Sequence, residues 1–316
     1  MLDETGRSIT YLRLSVTDRC NCRCRYCMPA AGVEKVCHSD VMGLEEMAVV
    51  VAACARLGVT KVRITGGEPL ARLGVERLVA MVRSVPGIEE VAMTTNATLL
   101  APKARALVDA GLDRVNVSLD SLDPDRYRAI TRTGSLDDAL AGLAAAREAG
   151  LGPVKVNAVL MGGVNEADIR PLAGLARDGA VASVRFIELM PIGEAASWPR
   201  ASFVPAERVL EELPELAPVG ADGVSETFSA PGWRGTVGLI RPMSHRFCSG
   251  CNRIRVTADG MLKACLHSGR EVPLRGLAPD ALVRVIADEI HRKPERHTMD
   301  ADHASQSARA MNAIGG

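Results

Sequence analysis

Six of the nine cysteines stand at spacings that can do chemistry, in two sets. Cys20, Cys24 and Cys27 form C-x3-C-x2-C within the run Cys20-Asn21-Cys22-Arg23-Cys24-Arg25-Tyr26-Cys27. Three thiolates so close on one loop can grip one face of a cube-shaped iron–sulfur cluster and leave the fourth iron without a protein ligand. An open metal position is what a catalytic site needs and a structural site lacks. The same residues also read as a zinc site, with Cys22 or His38 as fourth ligand. Cys248, Cys251 and Cys265 make the second set, a C-x2-C with a third cysteine downstream. It reads either as a second cluster with another open iron or as a zinc knuckle completed by His245 or His267. Cys37 and Cys54 have no partner at ligand spacing, and Cys54 lies on an apolar helical pattern that suits a core thiol. Gly66-Gly67-Glu68-Pro69 is a tight turn when taken alone, but its glycines would also let backbone polar groups approach a ligand.

Basic residues are threaded through apolar runs. Arg13 lies between Leu12 and Leu14, Arg63 between Val62 and Ile64, and Arg185 between Val184 and Phe186. Lys155 and Asn157 alternate with Val154, Val156 and Ala158, while Asn116 and Ser118 share one face, as do Arg253 and Arg255. Side chains alternate faces in a strand, so each polar set can point into a lumen while its neighbours pack outward. The alternative is that single residues sit at strand ends and reach water. Several cations in one lumen are costly without an anion to neutralise them. Arg suits phosphate because it makes bidentate, charge-assisted hydrogen bonds.

The elements that must position these groups alternate up to about residue 190. Short Val- and Ile-rich runs at Tyr11–Thr17, Lys61–Thr65, Glu90–Thr95, Arg114–Leu119, Val154–Leu160 and Ser183–Leu189 predict strands. Leu44, Met47, Ala48 and Val51 recur with helical period, as do Val75, Leu78, Val79 and Val82, and the Ala-rich Leu136–Gly150 predicts a helix stopped by glycine. The alternation predicts parallel β/α units, about six of them, and so an incomplete β/α barrel over residues 1–190; an open doubly wound sheet fits the same string. Beyond Pro191 the texture shifts to Pro, Gly and Ser. A short helix near Ala206–Leu213, strands at Val224–Phe228, Gly235–Ile240 and Arg253–Thr257, and a helix at Pro279–Lys293 are expected in a C-terminal α+β segment, 191–316. The 316 residues carry equal numbers of basic and acidic side chains, 38 each, and 3% aromatics, which argues against non-specific nucleic-acid binding. No apolar run suits a membrane span, the first residues do not resemble a signal peptide, and the cysteine usage suggests a reducing cytoplasm.

The first cysteine set together with Gly66–Pro69 resembles the radical S-adenosylmethionine superfamily. Within it, the chain is similar to the GTP-cyclising branch that serves molybdenum cofactor biosynthesis. That likeness rests on the segments 12–19, 63–70, 114–120 and 186–190, on Cys248–Gly260 and on the terminal Gly315-Gly316. Two departures stand out: Ala97 replaces an expected glycine, and Cys22 stands where the family has a non-ligand residue. The resemblance implies a partial barrel, two 4Fe-4S clusters on the two cysteine sets, and S-adenosylmethionine held by Tyr26, Gly67, Ser118 and Met190. It implies a GTP site including Arg13, Arg63, Thr94, Lys155, Arg253, Ile254 and Arg255; Arg185 joins this set from the strand pattern. It further implies catalytic roles for Arg253, Arg255, Gly315 and Gly316. A low-potential electron donor, the next enzyme of the pathway and a second copy of the chain are the implied partners. A radical peptide-modifying enzyme and a zinc-stabilised binding module are the alternatives; iron and sulfide in the purified protein would reject zinc.

Overall fold

The computed structural model describes residues 1–34, 37–299 and 304–315; the side chain of His38 and the whole of Gly316 lie outside the described set. Strands β1 (Tyr11–Ser15), β2 (Lys61–Thr65), β3 (Glu90–Thr95), β4 (Arg114–Ser118), β5 (Lys155–Leu160) and β6 (Ser183–Glu188) form where expected. Between them run α1 (Leu44–Arg56), α2 (Val75–Arg83), α3 (Ala104–Asp109), α4 (Pro124–Thr131), α5 (Leu136–Ala149) and α6 (Ile169–Arg177). Local chemistry sets the helix ends. Asp123 caps α4 by accepting from Arg126 N at 2.8 Å, with Pro124 in its first turn, and Ser135 caps α5 by accepting from Asp138 N. Gly150 ends α5 in the left-handed conformation, φ +87°, as its position after the Ala-rich run predicts.

The C-terminal residues add α7 (Arg208–Glu212), β7 (Ala217–Asp222), β8 (Ser225–Ser229), β9 (Thr236–Ile240), β10 (Arg253–Val256), β11 (Met261–Lys263), β12 (Val272–Pro273), α8 (Pro279–His291) and α9 (Met311–Ile314). All the strands join one open sheet of order β12-β11-β10-β1-β2-β3-β4-β5-β6-β9-β8-β7. The stretch from β10 to β9 is parallel throughout, and antiparallel pairs extend it at both ends. The C-terminal segment therefore lengthens both edges of the barrel wall: β10 lies against β1, and β9 against β6.

The core lies between the sheet's outer face and the helices. Leu12, Leu14, Val62, Ile64, Val115, Val117, Val156 and Val184 pack there with Met47, Val51, Leu78 and Val82. Burial of these side chains, at roughly 1.5–3 kcal/mol each, outweighs the weak preferences of short strands and fixes which face turns inward. The inner face is left to the polar and basic residues. Among the described residues no helix is long and apolar enough to cross a membrane.

Candidate active site

The first cysteine loop leaves the C-terminal end of β1, the end at which barrel sites are built. Cys24 O accepts from Cys27 N at 2.9 Å and from Met28 N at 3.1 Å, so the last two cysteines share one tight turn. Cys20 and Cys22 share a hydrogen bond that favours the thiolate on Cys20; with burial it keeps the proton on Cys22. Burial pushes Cys24 up and Cys27 to about 12, and the neighbouring thiols and Asp120 push the same way. Asp120 accepts from Tyr26 Oη at 2.9 Å and from Val159 N at 2.8 Å, and burial holds it at about 6.

Gly66 and Gly67 approach the chain itself. A Cβ on Gly67 would meet Arg19 O at 2.4 Å, and one on Gly66, at φ +154°, would meet Thr17 O at 2.6 Å. Their backbone closeness, expected to serve a ligand, docks the turn onto residues 17–19, with Gly67 N donating to Thr17 O and Glu68 N to Arg19 O, both at 2.8 Å. Glu68 is fully buried and accepts from Leu70 N, Thr95 Oγ1 and Asn96 N. Burial raises it to about 7. Asn96 passes the connection on: its amide donates to Asn21 Oδ1 at 2.9 Å and to Cys22 Sγ at 3.4 Å.

The second cysteine loop lies against opposite charge. Arg7, far away in sequence, donates to Cys248 O and Glu295 O, both at 2.9 Å, and to Pro294 O, while pairing with Asp3. Buried Lys293 donates to Arg253 O and Ala264 O, tying β10 to the strand end before Cys265. Burial alone would raise the Cys251 thiol, but Arg253 and Lys293 bring it down to about 7.

Between the two loops lies the lumen. Arg255 on β10, Arg13 on β1 and Arg63 on β2 stand in register on three adjacent strands. Like charges side by side oppose strand pairing, so this row costs stability unless an anion meets it. Burial lowers Arg255 and brings Arg13 to about 10, with repulsion from the other lumen arginines adding to both. Arg63 is held by Tyr11 Oη and Met93 O. Thr94, Asn116 and Lys155 form a second row, and Ser118, Asn157 and Arg185 a third. The strand alternation that turns Arg253 and Arg255 inward sends the Ile254 side chain into the core, 1% exposed, so only the Ile254 main chain is placed to serve the substrate site expected there.

The chain's end returns to this lumen. Arg309 forks onto Asp259 and Glu271, Asn312 Nδ2 donates to Asp18 O at 3.1 Å, and Ile314 is fully buried. Gly315 O accepts from Arg255 Nη1 at 2.8 Å. Gly315 sits at φ +80°, and a Cβ there would meet Thr65 Oγ1 at 2.5 Å and Ser15 Cβ at 3.0 Å. Only glycine fits both the backbone angle and the space between β1 and β2. The expected role of Gly316 lies outside the described residues.

Residues 14–176 match the family model of the radical SAM superfamily, and residues 182–299 match molybdenum cofactor synthesis C. The GTP 3',8-cyclase of Alkaliphilus metalliredigens is 47% identical over 321 residues, covering 100% of both chains. That of Moorella thermoacetica is 46% identical over 330 residues, again 100% of both. The chain belongs to the GTP 3',8-cyclase family. Among solved structures, Streptococcus suis SuiB bound to S-adenosylmethionine superposes with a TM-score of 0.67 at 13% identity, over 97% of this chain and 77% of that one. At that identity the likeness is one of fold.

As a member of the cyclase family the chain takes S-adenosylmethionine and two 4Fe-4S clusters. The donor sets suit clusters, which spread their thiolates over separate irons. Ala97, the cyclase family's glycine position, has φ +64° and is fully buried, so the backbone there keeps a glycine conformation with an alanine in it. Glu68, Asn96, Asp120 and Lys293 escape sequence reading as site residues. Each acts on a partner distant in sequence; Glu68 and Asp120 lie in segments that carry the family likeness, but their side-chain partners are set by the fold.

Proposed function

We propose that the lumen rows hold the substrate's triphosphate and that the two cysteine loops divide the chemistry between the ends of the chain. The chain is a GTP 3',8-cyclase: it converts GTP to 3',8-cyclo-7,8-dihydroguanosine 5'-triphosphate, an early step of molybdenum cofactor biosynthesis. When bound, the first cluster and S-adenosylmethionine supply a 5'-deoxyadenosyl radical from one low-potential electron.

Residues 1–190 carry the first half of this arrangement. Cys20, Cys24 and Cys27 hold the first cluster, while Tyr26, Gly67, Ser118 and Met190 hold S-adenosylmethionine. Asp120 fixes the Tyr26 ring through its hydroxyl. Arg13, Arg63, Thr94, Lys155 and Arg185 bind GTP from β1, β2, β3, β5 and β6. Residues 191–316 carry the second half. Cys248, Cys251 and Cys265 would hold the second cluster, which would supply an iron able to bind the guanine base. Arg253 and Arg255 orient the nucleotide from β10, and Gly315 and Gly316 act in catalysis, with Gly315 O already held by Arg255. The protein thereby supplies geometry and excludes water, while the cofactors carry the bond chemistry. Family likeness also supports a homodimer, a cytoplasmic location and transfer of the product to the next enzyme of the pathway.

The observation that carries this reading is the register of Arg255, Arg13 and Arg63 across three strands beneath the docked tail. Anaerobic incubation with S-adenosylmethionine, reductant and each nucleoside triphosphate tests it. GTP alone is expected to couple 5'-deoxyadenosine formation to a cyclised triphosphate. Equal yields with every nucleotide, or none with GTP, would overturn it.

A further inference from the structure

One lumen pair already holds an anion. Asp222, the last residue of β7, makes ion pairs with both Lys155 Nζ and Arg185 Nη2. It comes from a strand exposed along its whole length, at the outer end of the sheet, and its own side chain is 44% exposed. Between β8 and β6, β9 carries Gly238 in register with Arg185, so the arginine stem packs against bare backbone. A Cβ on Gly238 would meet Ser225 Oγ at 2.3 Å and Arg185 Cγ at 2.9 Å. Burial would raise the Asp222 carboxyl, but Lys155 and Arg185 hold it at about 2, so it is charged at any working pH.

The neutralisation is incomplete. One carboxylate faces two cations, and Arg185 Nε is buried without a hydrogen-bond partner. A buried donor left unpaired costs free energy that an additional acceptor oxygen would recover. Burial lowers both Lys155 and Arg185 despite the carboxylate beside them.

We infer that Asp222 is an internal counter-ion that occupies part of the phosphate subsite in the substrate-free enzyme and is displaced when a polyphosphate chain binds. The inference rests on the assignment of Lys155 and Arg185 to the triphosphate. A triphosphate brings more charge and more acceptor oxygens than one carboxylate, including one for Arg185 Nε. Asp222 itself is 44% exposed at a hairpin tip, so water can solvate its carboxylate once it is displaced. The contact then acts as a threshold: anions with fewer charges compete poorly with Asp222, and a triphosphate wins. The hairpin β7–β8 is held down before binding and released after it.

The test uses reconstituted holoenzyme without S-adenosylmethionine under anaerobic conditions, with inorganic tripolyphosphate and GTP as probes. Equilibrium binding is measured for wild type, Asp222→Asn, Asp222→Glu, Lys155→Ala and Arg185→Ala, and iron content confirms that each variant is assembled. Asp222→Asn is expected to bind tripolyphosphate about 10-fold more tightly, the scale of one charge-assisted contact, and Asp222→Glu to stay near wild type. Hydrogen exchange in residues 217–229 is expected to speed up when tripolyphosphate binds wild type, and to be already fast in Asp222→Asn. Unchanged or weaker binding by Asp222→Asn overturns the inference, as does a hairpin that becomes more protected on binding. Lys155→Ala and Arg185→Ala separate the two readings. If they weaken binding while Asp222→Asn does not tighten it, only the counter-ion role fails; if neither weakens binding, the phosphate assignment fails and the counter-ion role with it.

Discussion

The two cysteine loops sit in different electrostatic settings. Around the first loop, burial, neighbouring thiols and the Asp120 carboxylate raise Cys24 and Cys27. Around the second, Arg253 and Lys293 overcome burial and lower Cys251. The first loop is tied to its neighbours by main-chain contacts to the glycine turn and by the Glu68–Asn96 relay. The second is tied by cations, Arg7 and Lys293, that reach carbonyls across the chain. The difference fits the ligand proposed for each loop. S-adenosylmethionine carries both charge signs and needs no strong field, whereas a nucleoside triphosphate is strongly anionic and calls for a positive wall.

The largest expected effect breaks the comparison outright. Replacing Cys20, Cys24 or Cys27 with Ala should abolish S-adenosylmethionine cleavage. Replacing Cys248, Cys251 or Cys265 should abolish cyclisation while the first cluster still assembles, taking iron from about eight to about four per chain. Iron analysis and 5'-deoxyadenosine assays check both; a wild type that saturates at about four irons would remove the second cluster. Next in size are the cations of the second wall. Arg253→Ala and Arg255→Ala should each lower GTP binding or turnover by ~10–150-fold, the value of a charge-assisted hydrogen bond of roughly 1.5–3 kcal/mol. Arg13→Ala should behave similarly, and three variants with wild-type kinetics would refute the cationic lumen.

The tail joins the two regions, and Gly315→Val attacks that junction. The substitution meets Thr65 Oγ1 and an unfavourable φ of +80°, so cyclisation should fall steeply while thermal unfolding and iron content stay close to wild type. A valine variant at full rate would make the tail a passive end. The contrast in thiol chemistry sharpens the comparison without substrate. In cluster-free protein, alkylation of Cys251 should rise with pH to a midpoint near 7, and that of Cys27 only toward about 12, because the thiolate is the reactive form. Peptide mass spectrometry over a pH series reads both, and equal midpoints would erase the electrostatic difference. The smallest effect concerns Ala97, beside the Asn96 relay. Ala97→Gly should stabilise the fold by ~1 kcal/mol by relieving a left-handed alanine, visible as a higher denaturant midpoint with unchanged slope.

The sequence by itself determined what depends on near neighbours. The six barrel strands, the glycine stop of α5 and both cysteine sets follow from spacing and period, because a strand's alternation and a loop's ligand spacing are properties of a few consecutive residues. The alternation in β10 even carries the separation of Arg253 and Arg255 from Ile254, although the family likeness grouped all three. Tertiary structure alone decided what depends on sheet closure and register. β7 lacks apolar alternation because it is an exposed edge, so nothing local announces it or the reach of Asp222 to Lys155. Gly315 meets Thr65 and Ser15 only because α9 brings the chain's end back into the lumen, and Arg7 meets Cys248 only because β10 pairs with β1. Such contacts join residues from 67 to 241 and more positions apart; their partners are chosen by the packing of the whole sheet, and no local periodicity records that choice.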